Sequence, residues 1–226
     1  MTEAARRPGL VIFDCDGVLV DSEPLSFDCL LAALHEQGWE LHREEAMQRF
    51  LGKSVGFVRD SLAERLGRSP PEDFVARLQR RTLDTFAASL QPMPGIQALL
   101  GHLAIPRCVA SSSMPERIRL SLQVTGLLGY FEPHLYSAAE VGRGKPAPDL
   151  FLHAARQMGA APADCLVVED SLSGIQAARA AGMAVVGFTG GSHLEHGAAV
   201  AWMGEAGARA VAADMGELLA LVTQTA

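Results

Sequence analysis

No stretch of this chain approaches the length of a membrane span, and no signal-like apolar segment precedes the strand-like run that begins at Leu10. Basic clusters are also missing. With 19 Lys and Arg against 26 Asp and Glu, the formal charge of −7 argues against a general nucleic-acid binder. Cysteine is scarce: Cys15, Cys29, Cys108 and Cys165 form no CxxC pair and no metal-finger spacing. Three of them sit in or beside apolar runs, so buried free thiols in a reducing cytoplasm are expected. Neither an internal repeat nor a low-complexity tract is evident. The remainder is 226 residues, 49% hydrophobic and 20% charged. That describes a soluble globular chain, large enough for one domain or for a domain carrying a smaller insert.

The segment Leu10 to Glu23, LVIFDCDGVLVDSE, carries the first chemical signal. Leu10-Val11-Ile12-Phe13 has the length and β-branched content of a buried strand. It ends in Asp14 and Asp16, with Gly17 directly after. Paired acids at the end of a buried strand are costly unless something compensates their charge. A hard cation such as Mg²⁺ does so with oxygen ligands, taking one or two carboxylates plus water and phosphate oxygens. The plainer alternative is an acidic turn, since Asp-Gly is a common turn pair.

Helical patterning follows over Pro24–Gly38, Arg43–Leu51, Val55–Leu66 and Pro71–Ser89, with no alternating strand among them. Gln91-Pro92-Met93-Pro94-Gly95 then breaks the pattern. Beyond it, helical segments alternate with short apolar runs at Arg107–Ala110, Leu135–Ser137, Cys165–Val168 and Val185–Phe188. This alternation predicts βαβ units and a Rossmann-like α/β core with a parallel sheet and helices on both faces. Residues 1–21 and 93–226 would form that core, and residues 22–92 an inserted all-helical cap. An insert leaving the carboxyl end of a strand is placed to act as a lid over the crevice where open α/β sheets bind ligands.

Three further strand ends or loops carry polar residues. Val109-Ala110 leads into Ser111-Ser112-Ser113, and Pro115 suits a first helical turn. A hydroxyl followed by free amides at a helix start can bind phosphate, although an ordinary capping serine reads the same way. Gly142 to Asp149 holds Lys145 in a loop stiffened by glycine and proline. Such an ammonium is a fixed partner for phosphate or simply a solvated lysine. Leu166-Val167-Val168 ends in Glu169-Asp170-Ser171. Two acid-tipped strands in one sheet suggest convergence on one metal. Glu169 and Asp170 would then complete a shell begun by the Asp14 side chain and the Asp16 backbone carbonyl.

The ordered set DCDGVLVDSE, VASSS, GRGKPAPD and VVEDSLSGIQAARAAGM resembles the haloacid dehalogenase superfamily. More narrowly, it is similar to the branch with a helical cap after the first motif, which includes β-phosphoglucomutase and many sugar phosphatases. The resemblance implies that Asp14 is the nucleophile of an aspartyl-phosphate intermediate and Asp16 the general acid/base. It implies that Ser111, Ser112 and Lys145 hold the phosphoryl group. Mg²⁺ would be bound by Asp14, Asp16 and Asp170 with help from Glu169. The expected activity is hydrolysis of a small phosphorylated metabolite, a sugar phosphate or phosphorylated sugar acid leading. No nucleic-acid or membrane partner is expected, and the protein would be a monomer or weak homo-oligomer.

Several local signals lead elsewhere. Gly52-Lys53-Ser54 ends like a P-loop, but Met47 stands where its first glycine belongs. His193, Glu195 and His196 satisfy no zinc-protease pattern and read as a polar surface turn. Trp39 and Trp202 read as packing residues. Within the resembled family, Asp16 argues against dehalogenase chemistry and against the phosphonoacetaldehyde-hydrolysing branch. Ser26 and Val55 stand where the mutase carries a cap histidine and arginine, which favours hydrolysis over a mutase. Lys53, with Arg49, is the candidate cap clamp for a second polar group of the substrate, although a solvated lysine at a helix junction reads the same way. The competing class is a non-catalytic phosphoacceptor or ligand-binding protein; the presence of Asp14, Asp16, Ser111, Lys145 and Asp170 together disfavours it.

Overall fold

The computed structural model describes residues 7–50 and 55–223. The chain divides into two compact units, residues 1–21 with 91–226 and residues 22–90.

The first unit is built on six strands: β1 (Leu10–Phe13), β2 (Arg107–Ser111), β3 (Leu135–Ser137), β4 (Cys165–Glu169), β5 (Ala184–Phe188) and β6 (Ala210–Ala212). Every pairing is parallel, in the order β3-β2-β1-β4-β5-β6. Its helices are α5 (Ile96–His102), α6 (Pro115–Val124), α7 (Asp149–Gln157), α8 (Leu172–Ala180), α9 (His196–Glu205) and α10 (Met215–Thr223), counted after four in the other unit. All four residues of β1 are buried, as befits a central parallel strand covered on both faces. Alternate residues divide between those faces. Leu10, Ile12, Cys108, Ala110, Cys165 and Val167 join Phe151, Ala154, Ile175 and Met203 in one apolar cluster under α7, α8 and α9. Phe13 points the other way and meets Phe131 edge-on, with ring centroids 5.9 Å apart.

The sheet grows outward from β1 to β2 and β3, then restarts on the opposite side with β4. The strand order therefore reverses between β1 and β4, and ligands of open α/β sheets bind outside the carboxyl ends at such a switch point. β6 is the one strand the sequence pattern does not announce; three residues of Ala-Val-Ala carry too little apolar periodicity to distinguish strand from loop.

The second unit contains α1 (Glu23–Glu36), α2 (Arg43–Phe50), α3 (Val55–Leu66) and α4 (Phe74–Ser89), and no strand among its described residues. Its own core gathers Phe27, Leu30, Leu34, Trp39, Phe50, Val58, Leu62, Phe74 and Leu78. The return to the first unit falls between Leu90 and Gln91, two residues before the expected break. Backbone pairing explains the difference. Val20 bridges Pro92, the Asp21 N–H donates to Gln91 O at 3.1 Å, and the Met93 N–H donates to Leu19 O at 2.9 Å.

Candidate active site

β1 and β4 lie side by side with Phe13 opposite Val168, so their next residues emerge together. Asp14 keeps the ladder going by donating its N–H to Val168 O at 3.0 Å, and its side chain is buried at the strand tip. Glu169, the last residue of β4, is fully buried, and Asp170 follows it. Between these acids sits Lys145, from the loop joining β3 to α7. Its Nζ donates to Asp14 Oδ1 and to Glu169 Oε1, both at 2.6 Å, and lies 5.0 Å from the centre of the Phe151 ring. The side chain of Lys145 is 4% exposed. Glu169 is fixed from its other oxygen, which accepts from Ser171 N at 2.9 Å and Ser171 Oγ at 2.8 Å. Ser171 Oγ in turn accepts from Gly174 N and caps α8.

Charge is unbalanced here. Asp14, Glu169 and Asp170 offer carboxylate oxygens within 4.8 Å of one another, and all three residues are buried. Lys145 is the ammonium that faces two of them. Burial pushes the Asp14 carboxyl well above the ordinary carboxylate range; Lys145 opposes this, while Glu169, Asp170 and Asp16 add to it. For Lys145, burial acts to lower the pKa, but the attraction of Asp14 and Glu169 outweighs it and the net shift is upward. A buried oxygen cluster with surplus negative charge fits a hard divalent cation, and Mg²⁺ suits this donor set.

Asp16 is directed differently. Its Oδ2 accepts from Ser113 Oγ at 2.6 Å and its Oδ1 from an Arg117 guanidinium nitrogen at 2.8 Å. Its side chain is therefore not one of the three clustered carboxylates, which leaves its backbone carbonyl as the expected metal ligand. Ser111 is buried at the end of β2, with its Oγ accepting from Ser113 N at 3.1 Å. Ser137 Oγ donates to Ser113 O at 2.7 Å and secures the same turn. Ser112 is exposed beside them.

Two residues were missed in the sequence. Arg117 sits on the first turns of α6, where nothing in the spacing marks it. His193 corrects the surface-turn reading: its side chain is 6% exposed and its Nε2 lies 3.1 Å from Asp170 Oδ2. The neighbouring Gly190-Gly191 was the available signal, since paired glycines admit close backbone approach. Glu195 is exposed, and His196 Nδ1 contacts Thr189 Oγ1 at 2.6 Å. Of the candidate cap clamp, Lys53 lies outside the described residues, while Arg49 places its guanidinium 5.0 Å from the Trp39 ring.

The haloacid dehalogenase-like hydrolase family model matches residues 8–182 of this chain. The chain is 32% identical over 184 residues to a 6-phosphogluconate phosphatase of Escherichia coli, covering 81% of this chain and 83% of that protein. It is 34% identical over 183 residues to a probable pseudouridine-5'-phosphatase of Drosophila melanogaster, covering 77% and 79%. Among solved structures, a conserved haloacid dehalogenase-like protein of unknown function from Agrobacterium tumefaciens superposes with a TM-score of 0.83 at 36% identity, covering 95% of this chain and 97% of that one.

Proposed function

Because the chain belongs to the haloacid dehalogenase-like hydrolases, we propose that it is a Mg²⁺-dependent phosphatase acting on small phosphorylated metabolites through an aspartyl-phosphate on Asp14. The observation that carries this reading is the buried Lys145 bridging Asp14 and Glu169 where the strand order reverses. A carboxylate can attack phosphorus only while ionised and correctly aimed. Lys145 opposes the upward pull of burial on the Asp14 carboxyl and fixes its aim, and Glu169 holds Lys145 in place.

In the first step an Asp14 oxygen bonds to phosphorus, the bond to the metabolite oxygen breaks, and Asp16 supplies the proton that oxygen takes up. In the second, Asp16 removes a proton from water, whose oxygen attacks phosphorus and frees Asp14 and inorganic phosphate. Ser111 and Lys145 hold the phosphoryl oxygens throughout, with Ser112 at the same turn. Mg²⁺ held by the Asp14 and Asp170 carboxylates and the Asp16 carbonyl would neutralise the charge between two reacting anions. Relatives named for 6-phosphogluconate and pseudouridine 5'-phosphate support a polyhydroxylated monoester as substrate. We assign substrate selection to residues 22–90, with Lys53 as the candidate contact, and place the protein in the cytoplasm, which suits its four buried free thiols.

A phosphate-release screen over sugar phosphates, phosphorylated sugar acids and nucleoside monophosphates, with Mg²⁺ or with EDTA, tests the reading. Release from at least one of these is expected, lost in EDTA and in Asp14→Asn. Turnover surviving Asp14→Asn would remove Asp14 as nucleophile, and turnover surviving EDTA would remove the cation.

A further inference from the structure

His193 belongs to the loop between β5 and α9 and comes from none of the segments that announce the site. That loop is tied to the segment after β1 through Asp21. Ser192 donates to Asp21 Oδ1 through its N–H at 3.2 Å and its hydroxyl at 2.9 Å. Leu194 N–H donates to Gly191 O at 3.1 Å and turns the chain around His193. Two glycines leave room for the ring. A Cβ on Gly191 would stand 2.8 Å from His193 Cε1 and 2.9 Å from Nδ1. On Gly17 it would stand 3.0 Å from His193 Cε1 and 1.8 Å from Asp170 Oδ2. Gly191 thus backs the imidazole, and the imidazole and Gly17 both stand against one carboxylate oxygen of Asp170.

We infer that His193 is a positioning residue for Asp170, donating from Nε2 to Oδ2 so that Oδ1 is the oxygen presented to the divalent cation. The inference rests on the Mg²⁺ site proposed above. A ligating carboxylate that is already hydrogen-bonded loses less freedom when the cation binds, and partners of this kind commonly set metal affinity. The donated hydrogen bond, rather than a proton released or taken up, is the device.

Isothermal titration of the metal-free protein with MgCl₂ alone tests it, on the parent chain, His193→Ala, His193→Gln and Gly191→Ala. His193→Ala should weaken Mg²⁺ binding about 10- to 100-fold, with a melting temperature in EDTA close to the parent's. His193→Gln keeps an N–H donor and should recover most of the affinity. Gly191→Ala keeps the imidazole but crowds it, and should weaken binding as His193→Ala does; these two variants carry the test if His193→Ala does not fold. Unchanged affinity in His193→Ala overturns the inference, as does a loss that His193→Gln fails to recover. A parent chain that binds no Mg²⁺ overturns the metal site itself, a result distinct from either.

Discussion

The α/β unit and the helical unit use the same charged residue types in opposite surroundings. In the first, Lys145, Asp14 and Glu169 meet below the surface, with side chains between 1% and 10% exposed. In the second, Glu36 pairs with Arg77 and Arg81, Asp28 with Arg43, and Asp84 with Arg80, all with side chains at least 36% exposed. Solvent screens the second set, and holding two long side chains together offsets much of what each pair gains. The first set has no such screening. Its charges cost the fold their desolvation and persist because each is held by another. The pairs hidden from water coincide with the candidate site, while exposed pairs such as Arg143–Asp149 occur in the first unit as well.

Lys145→Met should separate the two units most sharply. It leaves Asp14 and Glu169 buried without their ammonium, a loss on the order of 3–5 kcal/mol at neutral pH, and phosphate release should vanish with it. The Asp14 carboxyl already lies above its ordinary value through burial, and the variant removes the one group opposing that shift. A carboxyl with a raised folded-state pKa binds its proton more tightly folded than unfolded, so stability falls as pH rises through the window above the unfolded value. Urea unfolding in EDTA should accordingly show a smaller deficit for Lys145→Met at pH 5 than at pH 7. A deficit that did not narrow would mean the pair is not what holds these charges. Gly174→Ala tests the same cluster by volume. In an unobstructed helix alanine stabilises relative to glycine, but here its Cβ would fall 1.8 Å from Glu169 Oε1. A loss of about 1–3 kcal/mol is expected instead, with reduced phosphate release, and a gain in stability would show that Glu169 can move freely.

The sequence made the acids legible because β1 and β4 are continuous apolar runs that stop at Asp14 and Glu169, so strand ends and site residues coincide. Lys145 was legible through its glycine- and proline-bounded loop, and folding adds Glu169 to Asp14 as its second carboxylate. Arg117 was not, because an arginine near a helix start has an ordinary reading and its partner Asp16 lies 101 residues away. His193 was misread for a related reason. Its partner Asp170 is on another strand's loop, and local spacing carries no information about contacts made through sheet topology. The break after Leu90 was placed two residues late because Pro92 looks like a linker residue, while its bridge to Val20 depends on a segment seventy residues earlier.

In the helical unit the apolar core, rather than the ion pairs, should carry the energy. Leu62 is fully buried among Leu34, Phe50 and Val58, and Leu62→Ala should cost about 2–5 kcal/mol by lost transfer and an unfilled cavity, read by urea unfolding. Glu36→Gln supplies the opposite extreme. The hydrogen bond from Arg81 holds the Glu36 carboxyl below its usual range. A lowered folded-state pKa gives stability that is present above the unfolded value and lost as pH falls through the folded one. Whatever Glu36 contributes should therefore be seen at pH 7 and be gone in strong acid. Partial exposure keeps that contribution small: water reaches Glu36 when the charge is removed, whereas Asp14 and Glu169 lie below the surface when Lys145 is removed. Melting temperatures of Glu36→Gln and the parent should agree within about 2 °C at pH 7. A drop approaching that of Lys145→Met would show that the Glu36 arginines depend on their partner as strictly as the buried cluster does, and that exposure does not separate the two sets of charges.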